Sequence, residues 1–267
     1  MTNFLAASTT ANQDRGPRGK AADHRLRAMI ALSRLGYAST RQLARIVWGK
    51  ITASSLRQAQ RLIAVLSDER LIVVRRDSMA CQQMVALTAT GVRWLSFEIP
   101  GDKAHARDWL RHAHAHRTAC NSVFAAIGAP AYGYTELEIQ SQQAPCKSLY
   151  HKVPDLLIAD SSGWTWVEVE HSYRSAKDFE KVIQWLRWVF NQENSPVREV
   201  WFVITRPGAS TIGQRLRTAL THQDFRDGIP RQIRELDARI LSRHIQIWKL
   251  DHDSLELEPV PLIRSVS

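Results

Sequence analysis

Apolar residues recur at three- and four-residue spacing through the first third of the chain and turn to alternation beyond residue 130. In residues 23–37, Leu26, Met29, Ile30 and Leu35 fall near one stripe of a helix, with Arg25, Arg27 and Arg34 elsewhere. Gly36 ends that helix. Ser39-Thr40-Arg41-Gln42 has the form of a capping box and opens a second helix presenting Leu43, Ile46 and Val47, which Gly49 breaks. Thr52 or Ser54 then caps a third helix running to about Asp68. Its core side carries Leu56, Ala59, Leu62, Ile63 and Leu66, and its other side Ser54, Arg57, Gln58 and Arg61. Two short strands follow at 71–75 and 84–87, and Leu87-Thr88-Ala89-Thr90-Gly91 leads into a helix ending near Leu95.

Pro100-Gly101 marks a boundary, and residues 104–127 read as one long helix. The pattern then predicts strands at 134–140, 153–159 and 164–170, a helix over 175–191, a fully apolar strand at 200–205, a helix near 210–220 and a strand at 244–250. Residues 251–267 read as a strand or tail and residues 1–22 as a flexible arm. The organisation expected is α+β or α/β with two domains, 23–97 and 104–250, the second in the order α-β-β-β-α-β-α-β.

Charge divides the chain the same way. Residues 1–101 hold 15 Lys and Arg against 6 Asp and Glu, a net of +9, whereas the remainder holds 21 against 20. A compact basic helical module favours nucleic acid, because each Lys or Arg set on a phosphate releases condensed counterions. No run of 18 apolar residues exists, so no membrane partner is expected. The N-terminus lacks the pattern of a secretory signal. Cys81, Cys120 and Cys146 are too widely spaced for a zinc site and suit free thiols in a reducing, cytoplasmic setting.

Helix, helix-turn-helix, hairpin and the L-T-x-x-G step resemble the winged helix-turn-helix domains of bacterial regulators. That resemblance implies that the third helix enters a major groove of double-stranded DNA. Arg57, Gln58 and Arg61, with Ser54 beside them, are then the base-reading candidates, since Arg pairs with guanine and Gln with adenine. Arg70, Arg75 and Arg76 flank the wing and suit phosphate, which positions without specifying. The competing reading is an ordinary solvated helix face, or a winged helix that makes protein contacts alone.

In the second half, Pro154-Asp155, a twelve-residue gap and Glu168-Val169-Glu170 carry the chemistry. Residues two apart on a strand face one side, so Glu168 and Glu170 project together, and Asp155 joins them if the two strands are neighbours. Converging carboxylates can hold Mg²⁺ or Mn²⁺, which polarises a phosphodiester and activates water. These residues in this order resemble the PD-(D/E)xK nuclease-like superfamily, with one departure: Glu170 stands where that pattern has lysine. Lys177 or Lys181 from the following helix, or less directly Lys152, could replace it. Alternatively the carboxylates pair with the Arg174/Lys177/Lys181 helix face and bind no metal.

His112 and His116, four apart on one helix face with His114 on another, have the spacing of helical metal pairs, though packing or hydrogen bonding accounts for them more simply. Trp164, Trp166, Trp185, Trp188 and Trp201 all fall in the second half, where they either pack or stack on bases. A winged helix, a His- and Asn-bearing helix (112–121), a Pro-Asp strand and an acidic strand followed by a basic amphipathic helix are similar to the replication-relaxation family of plasmid and conjugative-element proteins. That likeness implies DNA binding in replication, mobilisation or transcriptional control, with no cofactor needed for binding. The nuclease-like half would then serve dimerisation or partner contact. The alternatives are a Mg²⁺-dependent nuclease or nickase using Asp155, Glu168 and Glu170, and a protein-interaction subunit of a relaxosome or replication complex.

Overall fold

The computed structural model describes residues 16–77, 82–99, 110, 115–129, 132–221 and 230–262. The chain is α+β and divides into two compact units, residues 1–144 with 252–256, and residues 145–251 with 257–267. Among the described residues no helix is long and apolar enough to cross a membrane.

In the first unit α1 (Pro17–Leu35) starts earlier than the hydrophobic pattern suggests, so residues 17–22 are helical rather than part of an arm. Proline is favoured in the first helical turn, where its missing N–H has no partner to lose. After β1 (Ala38–Ser39) comes α2 (Thr40–Trp48), opened by the capping box read from sequence: Gln42 N donates to Ser39 Oγ at 3.2 Å and Ser39 N to Gln42 Oε1 at 2.7 Å. The cap of α3 (Ala53–Asp68) is Thr52, not Ser54; Ser55 N donates to Thr52 Oγ1 at 3.1 Å and Thr52 N to Ser55 Oγ at 2.8 Å. Strands β2 (Ile72–Asp77) and β3 (Gln82–Leu87) pair antiparallel, and β1 adds to the other edge of β3. Thr88 caps α4 (Ala89–Glu98). The glycine of the L-T-x-x-G step has a steric cause: a Cβ on Gly91 would lie 2.0 Å from the Leu71 carbonyl oxygen. Met29, Leu32, Leu35, Leu43, Ile63, Leu66, Val85 and Leu95 are buried in this unit.

Helix α5 (Ala115–Ala126) belongs with this unit rather than with the second domain. Polar side chains tie it there. Gln42 Nε2 donates to the Thr118 carbonyl at 3.0 Å and to Ser122 Oγ at 2.9 Å, and Asn121 Nδ2 donates to the Tyr37 carbonyl at 2.8 Å. The Tyr37 hydroxyl, 3.1 Å from Thr118 Oγ1, is pushed up to about 12 chiefly by burial. Beyond β4 (Gly133–Tyr134), residues 136–140 form a short helix, α6 (Glu136–Gln140), where the alternation predicts a strand. Thr135 and Glu138 make a third capping box, and Arg34 holds Glu138 at 2.7 Å, so local capping and one ion pair override a five-residue pattern.

The second unit contains β5 (Leu156–Asp160), β6 (Gly163–Glu170), α7 (Ala176–Asn191), β7 (Val197–Ile204), α8 (Ile212–Thr221), α9 (Arg231–Arg239) with a π-helical turn at Ile240–His244, β8 (Ile245–Asp251) and β9 (Glu256–Pro259). The strand order is β5-β6-β7-β8-β9. β5 and β6 form an antiparallel hairpin, while β6–β7 and β7–β8 are parallel, joined through α7 and through α8–α9. Helix α7 buries Phe179, Val182, Ile183, Trp185, Leu186 and Val189, and Trp185 meets Trp166 of β6 with ring centroids 4.6 Å apart. Helix α9 goes unannounced in the hydrophobic pattern because its nine residues are mostly charged, with Ile233 and Leu236 as the large apolar side chains.

Candidate nucleic-acid interface and acidic cluster

Each unit presents one of the sets of residues picked out by the sequence. On α3, Ser55, Ala59, Ile63 and Leu66 are buried, which turns Ser54, Arg57, Gln58 and Arg61 to solvent. All four are exposed, and Gln58 Nε2 donates to Ser54 Oγ at 3.2 Å. Among the described residues, the Arg57 and Arg61 guanidinium groups have no acidic partner. Val65, 49% exposed, extends the stripe by one turn. Arg70 is exposed in the turn after α3 with φ 58°, and Arg75 and Arg76 are exposed on β2. Arg75 also donates to the Leu110 carbonyl at 3.1 Å. The surface differs in this from Arg25, which is committed to Glu69 and lies over the Trp94 ring.

The acidic residues are brought together as their spacing suggests. β5 pairs with β6 so that Leu156 opposes Val167, which sets Asp155 beside the C-terminal half of β6. Asp155 Oδ2 accepts from Val169 N at 2.7 Å. Glu168 and Glu170 project from one face of β6 and are both 2% exposed. Glu168 Oε1 accepts from Trp166 Nε1 at 2.6 Å, and Glu168 Oε2 accepts from Lys152 Nζ at 2.7 Å and from Arg174 at 2.8 Å. Arg174 Nε lies 2.9 and 3.0 Å from the two Glu170 oxygens. Burial alone would raise the Glu168 carboxyl, but the Lys152 and Arg174 charges and the Lys152 and Trp166 hydrogen bonds outweigh it and lower it below the ordinary range. Glu170 moves the other way. Burial raises it, Arg174 offsets part of that rise, and the Glu168 and Asp155 charges add to it.

The lysine of this cluster is Lys152, not Lys177 or Lys181. Both α7 lysines are exposed, and Lys181 pairs with Asp178 at 3.0 Å. Arg174 is the residue whose role the spacing understated: it precedes α7, and its four-residue separation from Glu170 was the available signal. A divalent metal would need the oxygens that Lys152 and Arg174 already hold, and two cations within hydrogen-bonding distance repel a third. The residues fit an internal ion-pair network and do not fit a Mg²⁺ or Mn²⁺ centre as arranged.

Of the histidines, His112 and His114 lie outside the described residues, and His116 Nε2 lies 3.6 Å from Cys120 Sγ on α5. Cys120 and Cys146 are free thiols, and burial pushes the Cys146 thiol up. Trp166 and Trp201 are packing residues, against Trp185 and Trp248 respectively. Comparison with protein families, with characterised proteins and with solved structures gives no match.

Proposed function

We propose that this chain binds double-stranded DNA through a winged helix-turn-helix made by α1–α4 and the β2–β3 hairpin. In this reading α3 occupies the major groove and the second unit is a non-catalytic, nuclease-like domain for dimerisation or partner contact. The observation that carries it is the α3 stripe: a helix fixed by a buried face and a capping box turns Ser54, Arg57, Gln58 and Arg61 outward, with both guanidinium groups uncommitted among the described residues. Arginine and glutamine at such positions suit bidentate reading of guanine and adenine, and Arg70 and Arg76 beside them suit phosphate. The regional net charge of +9 supplies the attraction. Likeness to the replication-relaxation family supplies the setting, in replication, mobilisation or transcriptional control of a mobile element.

The metal-dependent nuclease is the competing reading, carried by the convergence of Asp155, Glu168 and Glu170 and opposed by the Lys152 and Arg174 contacts that already hold the glutamate oxygens. One assay separates the readings. The protein is incubated with a random pool of duplex DNA, bound sequences are selected, and the same samples are scored for cleavage with and without Mn²⁺. Enrichment of a sequence that Arg57→Ala/Arg61→Ala no longer binds, without cleavage, supports the proposal. Unchanged binding by that double variant overturns it, and Mn²⁺-dependent nicking lost in Glu168→Gln establishes the nuclease.

A further inference from the structure

The second unit carries a strained hairpin turn whose Tyr150 and His151 side chains are used by neither the α3 interface nor the acidic cluster. Leu149 and Lys152 pair as a two-residue hairpin, with Leu149 N donating to the Lys152 carbonyl at 2.8 Å and Lys152 N to the Leu149 carbonyl at 3.1 Å. The two loop residues, Tyr150 and His151, have φ 47° and 61°. That is the turn for which Asn-Gly is the usual choice, because both central residues occupy the left-handed region. A tyrosine and a histidine are held there only because both ends are fastened. Trp185 Nε1 donates to the Leu149 carbonyl at 3.0 Å, and Lys152 Nζ is fixed on Glu168.

What the turn achieves is display. The Tyr150 ring stacks on Trp188 at 4.6 Å and 11° and remains 53% exposed. Beside it opens a cleft of about 480 Å³ at the C-terminal end of α7, lined in part by Trp188, Asn191, Gln192, Glu193 and Asn194. The Asn191 and Asn194 amides are exposed at its rim. The negative end of a helix and the Glu193 carboxylate both disfavour an anion in the cleft. An uncharged planar ring with donors and acceptors on its edge is the matching occupant, held at the cleft edge by the Tyr150–Trp188 pair with the amides in reach of its edge and its phosphates outside.

We infer that the Tyr150–Trp188 stack and the adjoining amide-lined cleft bind an unpaired nucleobase of single-stranded DNA. The inference rests on the DNA-binding reading for its choice of ring, yet it uses none of the α3 residues. The salt dependence of this site is shallow, because stacking and amide contacts release few counterions.

The test uses the full chain carrying Arg57→Ala/Arg61→Ala, which removes the proposed duplex contacts, and a thymidine 12-mer with one central 2-aminopurine. Saturable quenching of 2-aminopurine is expected, and Tyr150→Asn/His151→Gly weakens it about 5- to 160-fold, the range of one lost stacking contact. That replacement installs the preferred turn residues, whose relief of backbone strain offsets the lost Tyr150–Trp188 packing, so the variant stays folded while losing the ligand. Asn191→Ala/Asn194→Ala, at exposed positions, gives a second several-fold loss that does not depend on the turn. Equal affinity in both double replacements overturns the inference. So does equal quenching of free 2-aminopurine deoxyriboside at the same concentration, which would make the ligand a nucleoside rather than a strand. Duplex binding by the otherwise unaltered chain is unaffected by Tyr150→Asn/His151→Gly, so loss of the duplex reading and loss of this one appear in different samples.

Discussion

Arg174 spans the two acidic residues of β6, with Nε 2.9 Å from Glu170 Oε1 and a terminal nitrogen 2.8 Å from Glu168 Oε2. The carboxylates are nearly inaccessible, and the guanidinium is itself largely covered. Removing one member of such a group leaves buried charge without compensation, which costs about 3 kcal/mol or more. Arg174→Ala therefore lowers unfolding free energy by roughly that amount in urea titrations. Arg174→Lys recovers little of it, since one ammonium cannot fork between two carboxylates.

The same two glutamates predict opposite pH behaviour. Glu168 titrates below its ordinary 4.5, so its contribution is present above that value and is lost as pH falls through the depressed folded value. Glu170 titrates above 4.5, so its contribution is present below that value and is lost as pH rises through the elevated folded value. The stability difference between the native chain and Glu168→Gln thus grows with rising pH in the window below about 4.5, whereas the difference from Glu170→Gln shrinks with rising pH in the window above it. Equilibrium unfolding of the three proteins across that range reads both slopes.

Metal addition supplies a separate check. A ligand that binds only the folded state raises its stability in proportion to the logarithm of its concentration over Kd. With Lys152 and Arg174 holding the cluster oxygens, millimolar Mg²⁺ or Mn²⁺ leaves the Tm of the native chain where EDTA leaves it. A metal-dependent rise in Tm would show that the side-chain cations yield to the ion.

The parts of this fold legible in the sequence were those set by local chemistry. Ser39 with Gln42 marked a helix start because a capping box is complete within four residues, and Glu168 with Glu170 marked one strand face because the period of a strand is two. Contacts made at long range were not legible. Alternation over 134–140 looked like a strand, but the reach of Arg34 to Glu138, 104 residues away, favours a helix there. Lys177 and Lys181 were attractive by spacing, whereas Lys152 reaches Glu168 because the Leu149–Lys152 hairpin folds back beside β6, a geometry set by strain at Tyr150 and His151 that no local pattern announces.

Asn121 offers a test of the first unit's packing. Its amide is buried and donates to the Tyr37 carbonyl just past the Gly36 turn, joining α5 to the end of α1. Asn121→Ala leaves that carbonyl buried and unsatisfied, at about 1–3 kcal/mol. Asn121→Asp is worse at neutral pH, because a carboxylate facing a carbonyl oxygen adds repulsion to the lost donor. Thermal unfolding followed by circular dichroism orders the variants native, Ala, Asp.

The proposed roles of Arg76 and Arg57 separate in how binding responds to salt and to sequence. Arg76 lies exposed on β2, where it suits a phosphate, while Arg57 lies on the outward stripe of α3, where it suits a base edge. A lost phosphate contact weakens every duplex equally and reduces the slope of log K against log salt by about 1. A lost base contact costs about 1–3 kcal/mol on the selected sequence and far less on a scrambled one. Arg76→Ala should therefore flatten the salt dependence while preserving the ratio of selected to scrambled affinity, and Arg57→Ala should collapse that ratio. Fluorescence anisotropy with both duplexes at several salt concentrations reads the two quantities together. Equal effects of Arg57→Ala on the selected and scrambled duplexes would move that arginine from the groove to the phosphate backbone.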